Sequence, residues 1–155
     1  MLRWTSALAI FFMVLLPALE AAAEDEGASL TVQVDGIQSE RKGEIGIALF
    51  ENKKGFPTHL EHAYEPAWIP AQAGVNSVSH TFEGLGWGDY AVSVLHDENG
   101  NRKLERSTFG FPQEGVGFSN DQKVRLKAPH FDDCRFVLED RENKNITIAL
   151  DYRED

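Results

Sequence analysis

Cysteine is almost missing from this chain, and Cys134 is the only one. No intramolecular disulfide can form, and no multi-cysteine metal site can be built. Cys134 lies beside an apolar strand pattern, which reads as a small core residue. Sustained helical periodicity is missing too, and Pro66 and Pro70 interrupt the stretch where a helix would otherwise start. Helical bundles and parallel α/β folds are thereby excluded. There is no glycine-rich nucleotide turn and no nucleophile elbow. Positive charge is scarce: 15 Lys and Arg stand against 25 Asp and Glu, a net charge of −10. Such a surface repels the phosphate backbone, so nucleic acid is excluded as a partner.

Long apolar runs are also lacking, with one exception. Ala7 to Leu16 is apolar and ends at Pro17, behind the positive charge of Arg3 and ahead of Ala21-Ala22-Ala23. The three-part pattern predicts a secretory signal peptide over residues 1–23. The run is too short to span a bilayer comfortably. The expectation is a single domain over residues 24–155, periplasmic or secreted, with no stable membrane insertion once the signal is cleaved. Cleavage removes Arg3 and Glu20 together and leaves the net charge unchanged.

What remains is a series of short alternating segments. Leu30, Val32 and Val34 alternate with polar residues and stop at Gly36. Ile45, Ile47 and Leu49 form the next set, with Gly46, Ala48 and Phe50 on the opposite face. Val78, His80 and Phe82 share a face. A glycine-rich corner, Gly84 to Gly88, leads into Tyr90, Val92 and Val94. Further alternation at Lys123–Lys127, at Phe136 and Leu138, and at Ile146, Ile148 and Leu150 completes the series. The pattern predicts an all-β fold: an antiparallel Greek-key β-sandwich of about seven strands, transthyretin-like or immunoglobulin-like. Tyr90 is expected to be buried, its hydroxyl bonded to backbone in the glycine corner.

Residues 96–120, HDENGNRKLERSTFGFPQEGVGFSN, carry no clear helix or strand period. Loops this long in compact domains are functional or disordered. Leu104, Phe109, Phe111, Val116 and Phe118 supply apolar anchors, so an ordered, self-packed loop is predicted.

Gly88-Asp89-Tyr90-Ala91-Val92, His96-Asp97-Glu98-Asn99, Asn101-Arg102-Lys103-Leu104-Glu105 and Gly110 to Asn120 together resemble a family of secreted bacterial chains, domain-of-unknown-function family 2141. The likeness runs from Leu30 to Tyr152. Arg102 stands where that pattern usually has glycine, and Glu105 where it has aspartate. The resemblance implies an exported β domain and no particular reaction. The segment from Phe82 to Val94 is similar, more loosely, to the corner of transthyretin-like and carboxypeptidase-regulatory-like domains.

Two chemistries compete for the loop. Asp97, Asn99, Asn101 and Glu105 place oxygens at positions one, three, five and nine, as in the first half of a calcium loop. Arg102 at position six and Thr108 at position twelve break that motif. The same side chains are also good turn caps, bonding nearby backbone amides. His96, Asp97, Glu114 and Ser119 suggest a hydrolase-like alternative, which requires the base within reach of the nucleophile. The leading expectation is a non-catalytic module that binds an unidentified ligand or protein partner. The expected binding residues are His96, Asp97, Asn99, Asn101, Glu105, Phe111, Glu114, Phe118, Ser119 and Asn120. No cofactor is required, with calcium as the candidate ion.

Overall fold

A computed structural model describes residues 27–124 and 127–153. The predicted signal peptide, residues 1–23, lies outside the described residues. The described chain is all-β, in two sheets. Its strands are β1 (Ala28–Asp35), β2 (Glu44–Phe50), β3 (Tyr64–Pro70), β4 (Ser77–Leu85), β5 (Gly88–Asp97), β6 (Gly115–Phe118), β7 (Phe136–Leu138) and β8 (Asn143–Ala149). A four-residue helix, α1 (Phe131–Cys134), precedes β7.

The alternating segments become strands because each has one face to bury. Leu30, Val32 and Val34 are fully buried, as are Ile45, Ile47 and Leu49. They meet Tyr90, Val92 and Val94 in one core shared by the two sheets. The smaller sheet has the order β4-β1-β8 and the larger β3-β2-β5-β6. β7 pairs with the start of β5, through Gly88 to Tyr90, and β6 with its later part, through Ser93 to His96. β5 is therefore central, as its two apolar faces imply.

Three expectations need correction. The pairing is not antiparallel throughout, since β1 and β8 run parallel, Ser29 opposite Asn143 through Asp35 opposite Ala149. The stretch 96–120 is not one loop: β6 lies inside it, and the loop proper is 98–114. Half of β6 is glycine because its inner face is crowded. A Cβ on Gly117 would stand 2.7 Å from Ile148, and one on Gly115 would run into the Tyr152 ring. The strand expected at Lys123–Lys127 does not form at Lys123 and Val124, which are irregular. Arg125 and Leu126 lie outside the described residues.

The chain changes sheets at its C-terminal end. Leu150 N donates to Asp35 O in the small sheet, and Asp151 exchanges two backbone hydrogen bonds with Val116 in the large one. The outer face of the large sheet carries a second, smaller core. Phe50 and Phe118 lie there with Phe131 and Cys134, and Phe56, Leu60, Leu104 and Val124 pack against them. Phe56 meets Phe50 and Phe131 edge-on, with centroids 5.3 and 5.8 Å apart. Burial pushes the Cys134 thiol up to about 12, the state of an inert core residue.

The glycine corner is as expected. Tyr90 is buried and its hydroxyl donates to Gly86 O at 3.0 Å. Tyr90→Phe removes that bond and should cost about 0.5–1.5 kcal/mol, since Gly86 is exposed and water can take its carbonyl. A urea titration reads this as a lower midpoint with an unchanged slope. An unmoved midpoint would show that the corner does not depend on the bond.

Candidate functional site

The loop 98–114 hangs between two buried carboxylates. Asp97, fully buried at the end of β5, accepts three amides: Gly100 at 2.8 Å and Asn101 at 3.2 Å on Oδ1, and Arg102 at 2.7 Å on Oδ2. Glu114, just before β6, accepts Glu98 on Oε1 and Glu105 on Oε2, both at 3.1 Å. Charge-assisted bonds of this kind are roughly twice as strong as neutral ones. They satisfy loop amides that have no sheet to pair with. Burial raises the Glu114 carboxyl above its ordinary value, the two amides oppose this, and the Asp97 and Glu105 charges add to it.

The exposed amide side chains work the same way on a smaller scale. Asn99 Oδ1 accepts the Asn101 amide at 3.0 Å, and Asn101 Oδ1 accepts the Lys103 amide at 2.8 Å. Asn101 Nδ2 donates to Glu105 Oε1 at 3.0 Å. Oxygens expected to converge on calcium are thus directed at the loop's own hydrogen-bond donors. Among the described residues, no group of three His, Cys, Asp or Glu side chains is placed to hold a metal ion.

The loop's far end is a small hairpin, with Arg106 bridged to Pro112 and Ser107 N donating to Phe111 O at 2.8 Å. Phe109 is at its tip, 86% exposed. Phe111 is half-buried, with the Arg153 guanidinium 3.7 Å from its ring centroid.

The remaining expected site residues are brought to different places. His96 is fully buried and faces the inter-sheet core. Its Nε2 meets the Lys42 carbonyl, which can only accept, so Nε2 bears hydrogen. Its Nδ1 lies 2.6 Å from the Tyr152 hydroxyl, which also accepts the Gln38 amide at 3.1 Å. Ser119 Oγ accepts the Val92 amide at 2.9 Å and donates to Cys134 O at 2.6 Å, tying β5 to α1. Asn120, at φ 58, donates to Arg135 O at 2.8 Å. Phe118 belongs to the second core. Ser119 touches β5 at Val92, four residues from His96, or about 13 Å along a strand. His96, Glu114 and Ser119 each have separate partners, so the hydrolase constellation is not assembled.

The geometry draws attention to residues outside the expected set. A cleft lies over the outer face of the large sheet. Its floor is made by small side chains, Gly46, Ala48 and Ser93. One wall is Pro57, Thr58 and Leu60, with Ser93 Oγ donating to Pro57 O at 2.8 Å. The opposite wall is the loop, through Arg102, Leu104 and Arg106. The cavity volume is about 50 Å³. Trp68 closes one end, packed so tightly on Gly46 that a Cβ there would stand 2.6 Å from the indole. The Arg102 guanidinium lies 5.0 Å above the indole ring. The signal for this wall was present in the sequence. Arg102, Leu104 and Arg106 take alternate positions in the chain and all three line the cleft, while Lys103 and Glu105 do not.

A family model described as "Uncharacterized protein conserved in bacteria (DUF2141)" matches residues 32–147. The chain belongs to this family. The match takes in both sheets, the loop and the cleft, so the site is part of the DUF2141 domain. No curated protein and no solved structure matches the chain.

The carboxylate brackets give a pH signature. Folded Glu114 keeps its proton to higher pH than the unfolded chain does, so the folded state binds more protons between the two values. Its contribution to stability must therefore fall as pH rises from about 4.3. Glu114→Gln lacks this dependence and sets an amide group against a backbone N–H, for a cost of about 1–3 kcal/mol. In urea titrations from pH 4 to 7, the advantage of the wild type over the variant should shrink with rising pH. An advantage that grows with pH would mean that the two amides outweigh burial.

Proposed function

We propose that this DUF2141 chain is a non-catalytic binding module of the periplasm or the secreted space, and that its ligand occupies the cleft beside loop 98–114. The observation that carries the reading is the cleft itself. It is concave, mostly apolar, and supplied with a few placed polar groups, as small-molecule sites are. The buried carboxylates support it by holding the loop wall in one shape, which lowers the ordering cost of binding. Export rests on the leader pattern of residues 1–23. Among the described residues no helix is long and apolar enough to cross a membrane. The loop's Asp, Asn and Glu side chains act in this reading as turn caps rather than calcium ligands. Melting curves in chelator and in several millimolar calcium should then coincide, and a calcium-dependent rise would restore the ion.

The test is a small-molecule screen read by thermal melting, on the wild type and on Ala128→Trp. Ala128 is half-buried at the cleft rim, where an indole fills the opening with little change to the core. A true ligand at a hundred times its Kd stabilises the wild type by about 2.7 kcal/mol. It should do little for the variant. Hits that stabilise both proteins equally would place binding elsewhere and overturn the reading.

A further inference from the structure

We infer that the cleft is built for a narrow apolar monoanion, specifically an unbranched carboxylic acid whose chain lies on the sheet and whose carboxylate meets Arg102 and Arg106. The inference rests on the binding-module reading and adds the chemistry of the ligand.

Charge is the first argument. The protein carries a net charge of −10, yet among the described residues the charged side chains lining the cleft are two arginines. Glu44 opposes them, with Oε2 3.8 Å from Arg102 Nη2. Two guanidinium charges less one carboxylate leave one positive charge, which matches a monoanion. Arg106 gives one N–H to Gly110 O at 3.0 Å, and a guanidinium has five donors, so its fork keeps donors for a carboxylate.

Backbone strain is the second argument. Arg102 sits at φ 57, a left-handed conformation that is costly for a side chain with a Cβ and free for glycine. The turn needs only the Arg102 amide, which Asp97 accepts. Nothing in that bond calls for arginine. The strain delivers a guanidinium to the cleft rim, stacked on Trp68, and strain of this sort marks working positions.

Shape is the third argument. The floor of Gly46, Ala48 and Ser93 leaves a shallow trough of about 50 Å³, in which an unbranched chain can lie lengthwise with one side open to solvent. Apolar side chains bound it, among them Leu60, Leu104 and Val116. Ser93 and Thr58 are the neutral polar side chains there.

The experiment uses octanoate, 1-octanol, octylamine and octyl phosphate as probes, titrated into isotope-labelled protein and followed by amide chemical shifts. Octanoate should perturb Ala48, Ser93, Leu104 and Val116 and bind at least fivefold more tightly than octanol, octylamine or octyl phosphate. Arg102→Gly relieves the left-handed strain, so it should fold at least as well as the wild type. It should weaken octanoate fivefold or more and leave octanol unchanged, which also reports that the trough survives. Arg106→Gln should weaken octanoate in the same direction. Octanol or octylamine binding as tightly as octanoate would overturn the anion assignment and leave the binding-module reading standing. Preference for octyl phosphate would overturn the carboxylate. Octanoate shifts outside the cleft, or no octanoate shifts at all, would overturn the inference even where the thermal screen finds another ligand in the cleft.

Discussion

The loop end of this molecule depends on two carboxylates taken out of water. Asp97 and Glu114 close the two ends of a loop and between them accept amides from Glu98, Gly100, Asn101, Arg102 and Glu105. Burying a carboxylate is expensive unless its lone pairs are filled, and here the loop backbone fills them. The exchange is mutual, because a loop of this length has amides to satisfy and no neighbouring strand to do it. The arrangement also has a built-in opposition. The Asp97 charge is one of the causes that raise Glu114, so the brackets that order the loop repel each other.

The brackets explain why the wall of the cleft has the composition it does. Once Asp97 and Glu114 fix both ends, the chain turns at Arg102, with φ 57, and runs over the outer face of the sheet to the bridge at Arg106. Arg102, Leu104 and Arg106 line the cleft. Glu105 instead gives its amide to Glu114 and its carboxylate to Asn101. The stack of Gly46, Trp68 and Arg102 then couples this wall to the sheet. Loop, edge strand and floor therefore meet at one indole.

Much of the fold was legible because burial writes itself as alternation. Leu30, Val32, Val34, Ile45, Ile47, Leu49, Tyr90, Val92 and Val94 all go where period two sends them. The tyrosine corner was legible for a local reason, since the acceptor Gly86 lies four residues from Tyr90. β6 was not legible. Its Gly115 and Gly117 answer to Tyr152 and Ile148, which are more than thirty residues away in the chain and leave no local mark. The parallel pairing of β1 with β8 was hidden for a related reason: alternation tells which face is buried but not which strand lies alongside. The calcium-like spacing of Asp97, Asn99 and Asn101 is equally the spacing of turn caps, because turn caps and ion ligands call on the same short oxygen side chains. Here each of these oxygens reaches an amide two to five residues ahead. That is the local bonding that makes such residues good turn formers.

The position of the cleft follows from which face of the large sheet is filled. Its inner face carries Ile45, Ile47, Leu49, Val92 and Val94, all at or near zero exposure. Large branched side chains there interdigitate with β1, and native packing leaves no room for a guest. On the outer face, the same two strands present Gly46, Ala48, Ala91 and Ser93, which are small. At the Phe50 end the deficit is made up by Phe56, Phe118 and Phe131 stacked edge-on. Over Ala48 and Ser93 the covering segments part between Pro57 and Leu104, and the cleft lies in the gap. One sheet face thus changes along its length from a closed core to an open trough. The change needs no special element, only the loss of side-chain volume on β2 and β5 just where the carboxylate-braced loop stands as a wall.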